Sequence, residues 1–198
     1  MTHKLLLEIP TQFETERLLV RCYQAGDGAH YFAMSQRNRE HLLPYERDNP
    51  ARTLQSAEEA EILLRGFAAA WAAREYFFMG AYDRANGDFV AQLYIGVVKW
   101  ETPEFEVGYF VDVAQQGQGY VTEMVRGALP FLFTHFEAHK VRLGCNDGNT
   151  RSWRVAERCG FVREAHFRAV HRHPDDTFSG SYVYGLLRSE FEALNQGG

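Results

Sequence analysis

The chain has 198 residues, 45% hydrophobic and 24% charged, which suits a single globular domain over residues 1–198 with a sizeable core. Its 21 Lys and Arg against 26 Asp and Glu give a formal net charge of −5. That balance argues against direct nucleic-acid binding, which needs a positive footprint, and tolerates a cationic acceptor or a basic partner.

Cys22, Cys145 and Cys159 are odd in number and not closely spaced. This argues against a disulfide framework or a zinc cluster, and no metal is expected. Cys145 and Cys159 read as small core residues. Lys4 to Ile9 reads as a short leading strand. Leu5-Leu6-Leu7 is too short for a signal core, and no stretch approaches the roughly 20 apolar residues of a membrane span. A cytoplasmic protein without a membrane partner is expected, and homodimer formation is left open.

Glu16 to Tyr23 reads as a strand, broken by Gly26-Asp27-Gly28. Asp27 is placed to cap a helix over Ala29 to Gln36. Asn38 to Pro50 reads as irregular. Ser56-Ala57-Glu58-Glu59 matches a capping box, and Ile62, Leu63, Phe67, Ala70 and Trp71 continue at helical spacing up to Arg74. Tyr76–Tyr82 and Phe89–Trp100 read as strands joined through the turn signal Asn86-Gly87. Phe105 to Val113 reads as a strand in which Phe105, Val107, Tyr109, Val111 and Val113 alternate with Glu106, Gly108, Phe110 and Asp112.

The last third alternates in type. Helices are predicted over Gly119–Phe136, with Pro130 inside, and over Asn149–Cys159, closed by Gly160 as a left-handed cap. Lys140–Cys145 reads as a strand. Phe161–Arg172 and Ser181–Leu187 read as strands joined by His173-Pro174-Asp175-Asp176, and a short helix follows from Arg188 to Leu194. Hairpins first and strand–helix–strand later imply an α+β fold, a mixed sheet with helices on both faces.

One turn carries chemistry. Gln116-Gly117-Gln118-Gly119-Tyr120 follows a strand and opens a helix. The first N–H groups of a helix lack internal partners and carry partial positive charge, and glycine lets an anion approach them closely. A phosphate ester fits such a turn without a lysine. A P-loop would need Gly-Lys-Ser/Thr, and Gly119-Tyr120-Val121 lacks it. A dinucleotide fingerprint would need a third glycine where Thr122 stands. A lone glycine turn is more often only a turn.

At this turn the sequence resembles the GNAT superfamily of N-acetyltransferases. Gln116 and Gly119 fall on the family's Gln/Arg-x-x-Gly-x-Gly/Ala motif, and Val121 stands where the family prefers Gly or Ala. Asn149-Thr150-Arg151-Ser152 and the later Gly160-Phe161 resemble its downstream segment. The resemblance covers about Glu14 to Leu187. It looks closest to the branch that acetylates ribosomal-protein N-termini, on Glu16-Arg17-Leu18, Asn38-Arg39-Glu40-His41-Leu42 and His171-Arg172-His173-Pro174-Asp175.

The resemblance implies a mostly antiparallel central sheet and acetyl-CoA as co-substrate. It implies that main-chain groups near Val111 and Val113 hold the pantetheine arm. Amides of Gln116, Gly117, Gln118, Gly119, Tyr120, Val121 and Thr122 would hold the pyrophosphate, and Asn149 the pantetheine amides. Many family members protonate the departing thiolate with a tyrosine where this chain has Ala156, and Ser152 is the substitute the resemblance suggests. Asn149 could equally be a helix cap and Ser152 a solvated hydroxyl.

An α-amine has a pKa near 8 and is partly neutral at pH 7, whereas a lysine amine near 10.4 needs on the order of 3 kcal/mol more help. A protein or peptide N-terminus is therefore the expected acceptor. A small amine (polyamine or aminoglycoside) and a non-catalytic CoA-binding module are the alternatives. Glu106 is the first candidate base, with a solvated strand carboxylate as an equal reading; His171 and His173 come after it. Tyr31, Asn38 and Arg39 are expected, from the branch resemblance, to line the acceptor pocket.

Overall fold

A computed structural model describes residues 3–46, 49–173 and 175–196. Eight strands form one sheet: β1 (Gln12–Glu14), β2 (Leu18–Cys22), β3 (Tyr76–Asp83), β4 (Phe89–Lys99), β5 (Glu104–Val111), β6 (Lys140–Asn146), β7 (Val162–Arg172) and β8 (Phe178–Leu187). Their order is β1-β2-β3-β4-β5-β6-β8-β7. Every neighbouring pair is antiparallel except β5 with β6. The helices are α1 (Gly28–Leu42), α2 (Ala57–Ala73), α3 (Tyr120–His135), α4 (Thr150–Arg158) and α5 (Arg188–Gln196).

Strand alternation sends side chains to both faces, and both faces are covered. Phe77, Met79, Leu93, Ile95, Phe105 and Val107 pack with Met124 and Leu132 of α3 and with Phe136 just after it. Tyr23 and Phe110 pack on the opposite face with Tyr31, Leu64 and Phe67 of α1 and α2. Phe110, in the second of the two alternating sets of β5, is 5% exposed. The strand also ends at Val111, and Val113 opens a short 3-10 turn, Val113–Gln115.

Other boundaries shift for identifiable reasons. Lys4–Leu6 is a 3-10 turn with Leu5 and Leu6 exposed, not a strand. Helix α1 runs six residues past Gln36, through the segment read as irregular, because Arg37 and Asn38 are tied to Asp112. Asp27 stands at the start of α1 but caps nothing there; its carboxylate accepts from Arg21 and from the Gln24 N–H. Ser56 does cap α2, accepting from the Glu59 N–H, while Glu59 reaches back to the N–H of Gln55. Pro130 lies inside α3 with an exposed ring. Pro174, in the β7–β8 connection, lies outside the described residues. Among the described residues no helix is long and apolar enough to cross a membrane.

Gly160 follows α4 at φ 85°, and the Phe161 N–H closes back on the Ala156 carbonyl at 3.0 Å. A Cβ at Gly160 would strain this left-handed turn and meet Leu194. Gly160→Ala is therefore expected to lower stability by about 1–2 kcal/mol, read as a lower urea midpoint at unchanged m-value.

Candidate active site

The parallel pairing of β5 with β6 covers only Glu104↔Lys140, Phe105↔Val141 and Glu106↔Arg142. Beyond Glu106, β5 stays on β4 while β6 follows β8 along its whole length. The two strands splay into a V, and the β6-facing edge of Val107–Val111 has no strand partner. A cavity of about 870 Å³ fills the opening. It is lined by β5 from Val107 to Val111, by β6 from Leu143 to Asn146, by the glycine turn, by α4 and by the end of α1. An unpaired strand edge offers N–H and C=O groups to an extended ligand, as another strand would.

The glycine turn closes the wide end of the V. Gly117 has φ 76° and Gly119 φ 81°, both in the left-handed region. Gly119 is the N-cap of α3, and no side chain caps that helix. The first N–H groups of α3 are thus left for a ligand, with the positive end of the helix dipole behind them. Gln116, Gly117, Gly119, Tyr120, Val121 and Thr122 all line the cavity. Gln118 does not: its side chain turns to Gln115 and its carbonyl accepts from Arg17.

Two networks hold this turn in place. On one side Asp112, 1% exposed, accepts from the Ala114 N–H at 2.9 Å, from Arg37 and from the Asn38 amide. Burial alone would raise the Asp112 pKa; Arg37, the Ala114 N–H and Asn38 outweigh it and hold the carboxyl below its usual range. On the other side Arg17 pairs with Glu123 at 2.6 Å, donates to the Gln118 carbonyl, and lies 4.2 Å over the Tyr120 ring. Thr15 also donates to Glu123. The Glu16-Arg17-Leu18 segment thereby buttresses the turn from behind.

Helix α4 forms the facing wall. Asn149 is its N-cap, accepting from the Ser152 N–H at 3.2 Å, and it also lines the cavity. Ser152 lines the cavity, with Oγ 3.2 Å from the Tyr109 hydroxyl; that hydroxyl also donates to the Ser152 carbonyl at 3.1 Å. Burial pushes the Tyr109 phenol well above its ordinary value, so it stays protonated. Cys145, beside Ser152, is pushed up to about 11 by burial. Ala156, where the tyrosine would stand, is fully buried.

Several expected residues lie elsewhere. Val111 lines the cavity, but Val113 is 41% exposed and its N–H is taken by Asn38 Oδ1 at 2.8 Å. Tyr31 is buried, donating to Gln92 on the far face of the sheet. Asn38 is fully buried with its amide spent on Met34, Asp112 and Val113. Arg39 donates to the Leu54 carbonyl. None of these three lines the cavity. Glu106 sits at the last position of β5 paired with β6, is half-buried, and does not line the cavity. His171 and His173 bond to Ser181 and Ser179 of β8, away from the cavity.

The sequence reading missed Tyr109 and an arginine row. Arg151, Arg154 and Arg158 line the cavity from α4. Their i, i+3, i+7 spacing was visible and places them on one helix face. Arg151 also donates to Gln116 Oε1, and Gln116 Nε2 meets His41 of α1 at 3.2 Å. With the uncapped helix they give one wall of the cavity positive charge. Arg154 is exposed, so Arg154→Ala is expected to raise the KM for an anionic thioester donor several-fold at low salt. The gap should narrow as salt screens the charge, which initial rates at two ionic strengths would check.

The site is thus a splayed strand pair leading to an uncapped helix N-terminus, with a hydroxyl at the fork. The chain belongs to the GNAT acetyltransferases: residues 17–162 match the family described as acetyltransferase (GNAT) domain. It is 38% identical over 58 residues to the probable N-acetyltransferase YjcK of Bacillus subtilis, a stretch covering 29% of this chain and 32% of that one. Matches to the curated relatives span 32% to 51% of their lengths.

Among solved structures, Mycobacterium smegmatis RimJ in complex with CoA-disulfide superposes with a TM-score of 0.80 at 19% identity, covering 92% of this chain and 90% of that one. The ribosomal-protein-S5-alanine acetyltransferase of Vibrio fischeri superposes with a TM-score of 0.78 at 19% identity, covering 90% and 97%. These likenesses establish a shared fold. Among the described residues no group of three or more His, Cys, Asp or Glu could hold a metal ion.

Proposed function

We propose that this protein moves an acetyl group from acetyl-CoA to a primary amine, the α-amine of a protein N-terminus such as that of a ribosomal protein. The observation that carries the donor assignment is the V between β5 and β6, ending on the uncapped, two-glycine start of α3. An extended pantetheine arm suits the unpaired edge of Val107–Val111. A pyrophosphate suits the open N–H groups of α3 and the arginines of α4. Asn149, with Oδ1 committed to its helix, has its amide NH₂ for pantetheine carbonyls.

At the fork, Ser152 is the proton donor to the departing thiolate, and the Tyr109 hydroxyl beside it completes the hydrogen-bonded pair. This pair favours an enzyme over a module that only binds CoA. The protein N-terminus is supported by the ribosomal-protein acetyltransferase named among the structural neighbours and by the low pKa of α-amines. Thiol release from acetyl-CoA, followed with free and N-terminally blocked peptides and with polyamines, tests the reading. Release only with the free N-terminus is expected; release only with polyamines would move the acceptor to the small-amine class.

A further inference from the structure

The cavity is electrostatically lopsided. Arg151, Arg154 and Arg158 stand on the α4 wall, while among the described residues that line it Glu46 is the sole carboxylate. Glu46 follows α1, its N–H fixed to the Leu42 carbonyl at 2.7 Å. Its side chain is half-buried, and its partner among the described residues is the neutral Asn49 amide at 3.4 Å. It is close enough to Tyr109 to act on it electrostatically. Burial pushes the Glu46 carboxyl above the usual carboxylate range, against a smaller opposing effect from Asn49. Among the described residues this carboxylate has no cation partner, and a partly desolvated anion gains most from a ligand that supplies one.

We infer that Glu46 is the acceptor-side residue: it binds the incoming primary ammonium and takes its proton. The inference rests on the acetyl-transfer reading and deepens it. The arginines of α4 suit the donor's phosphates, and the lone carboxylate suits the acceptor's ammonium, so the two substrates would be sorted by charge. Glu46 takes one proton from R–NH₃⁺, and the freed lone pair forms the N–C bond to the thioester carbonyl carbon. The C–S bond then breaks with its electron pair on sulfur. Ser152 gives its proton to the thiolate, the second proton lost by nitrogen restores the Ser152 hydroxyl, and the Glu46 proton passes to solvent. The balance is R–NH₃⁺ plus acetyl-CoA giving the acetamide, CoA thiol and one proton. An upward-shifted carboxyl is nearer in pKa to an α-amine than an ordinary one, which favours such a transfer.

The test compares two acceptors on the full chain at pH 7: a peptide α-amine, which is mostly protonated, and an acyl hydrazide, which is already neutral. Glu46→Gln should lower kcat/KM for the peptide by about a hundredfold. It should lower that for the hydrazide far less, leave CoA affinity within about twofold, and leave the melting temperature near that of the parent. Glu46→Asp should recover part of the peptide rate. Equal losses with both acceptors, an unchanged peptide rate, or the acceptor-dependent loss appearing in Glu106→Gln instead would overturn the inference. Failure of the acetyl-transfer reading itself would look different: the unaltered chain would turn over neither acceptor.

Discussion

Gly119→Val is expected to weaken CoA binding by about a hundredfold while the protein still folds. Gly119 sits at φ 81° as the cap of α3, a conformation that costs a β-branched residue about 1–3 kcal/mol. The turn relieves that strain by rotating, and the first N–H groups of α3 then no longer converge on one point. Each charge-assisted hydrogen bond to a phosphate is worth about 1.5–3 kcal/mol, so losing one corresponds to roughly ten- to a hundredfold in affinity. Little else touches the position: the nearest atom to an added Cβ would be an Arg17 nitrogen at 3.8 Å. Calorimetric titration with CoA reads the affinity, and circular dichroism checks the fold. Unchanged affinity in a folded variant would remove the glycine turn from the donor site.

Ser152→Ala is expected to lower kcat by about a hundredfold, within the usual range for a positioned acid, and to leave CoA affinity nearly unchanged. The methyl side chain cannot protonate a thiolate, and the Asn149 cap survives because it uses the Ser152 backbone N–H. Tyr109→Phe should lower kcat by less, since it removes a partner of the serine at 3.2 Å rather than the donor. The double variant should resemble Ser152→Ala, because both hydroxyls act through one proton transfer. Single-turnover rates with saturating acetyl-CoA separate this chemistry from binding. Wild-type rates in Ser152→Ala would take the serine out of the mechanism.

The glycine turn was legible because its requirements are local. Two glycines at φ above 70° and a helix start lie within five residues, and the strand before them has its own alternation. The Ser56 and Gly160 caps were legible for the same reason. What escaped notice depends on distant parts of the chain meeting. Asn38 was expected at the acceptor pocket from the branch resemblance. In the fold it spends that amide on Asp112 and Val113, some 75 residues away. Strand β1 has no apolar pattern of its own and is a strand only by pairing with β2.

Glu106 was singled out because strand periodicity gives a face. Periodicity does not say which side of the sheet opens into the V. The arginine row of α4 could have been read from its spacing, but only the splay of β5 from β6 shows that it faces a cavity. Tyr109 alternates with the core residues of β5 and so reads as packing, until α4 places Ser152 against its hydroxyl.

The most direct test of acetyl transfer at the β5–β6 cleft is mass spectrometry of products formed from acetyl-CoA and a peptide and amine library, with the Gly119→Val protein in parallel. The expected result is acetylation of α-amines by the parent chain, reduced in the variant at limiting acetyl-CoA. No acetylated product from the parent chain, or equal product from both proteins under those conditions, would contradict it.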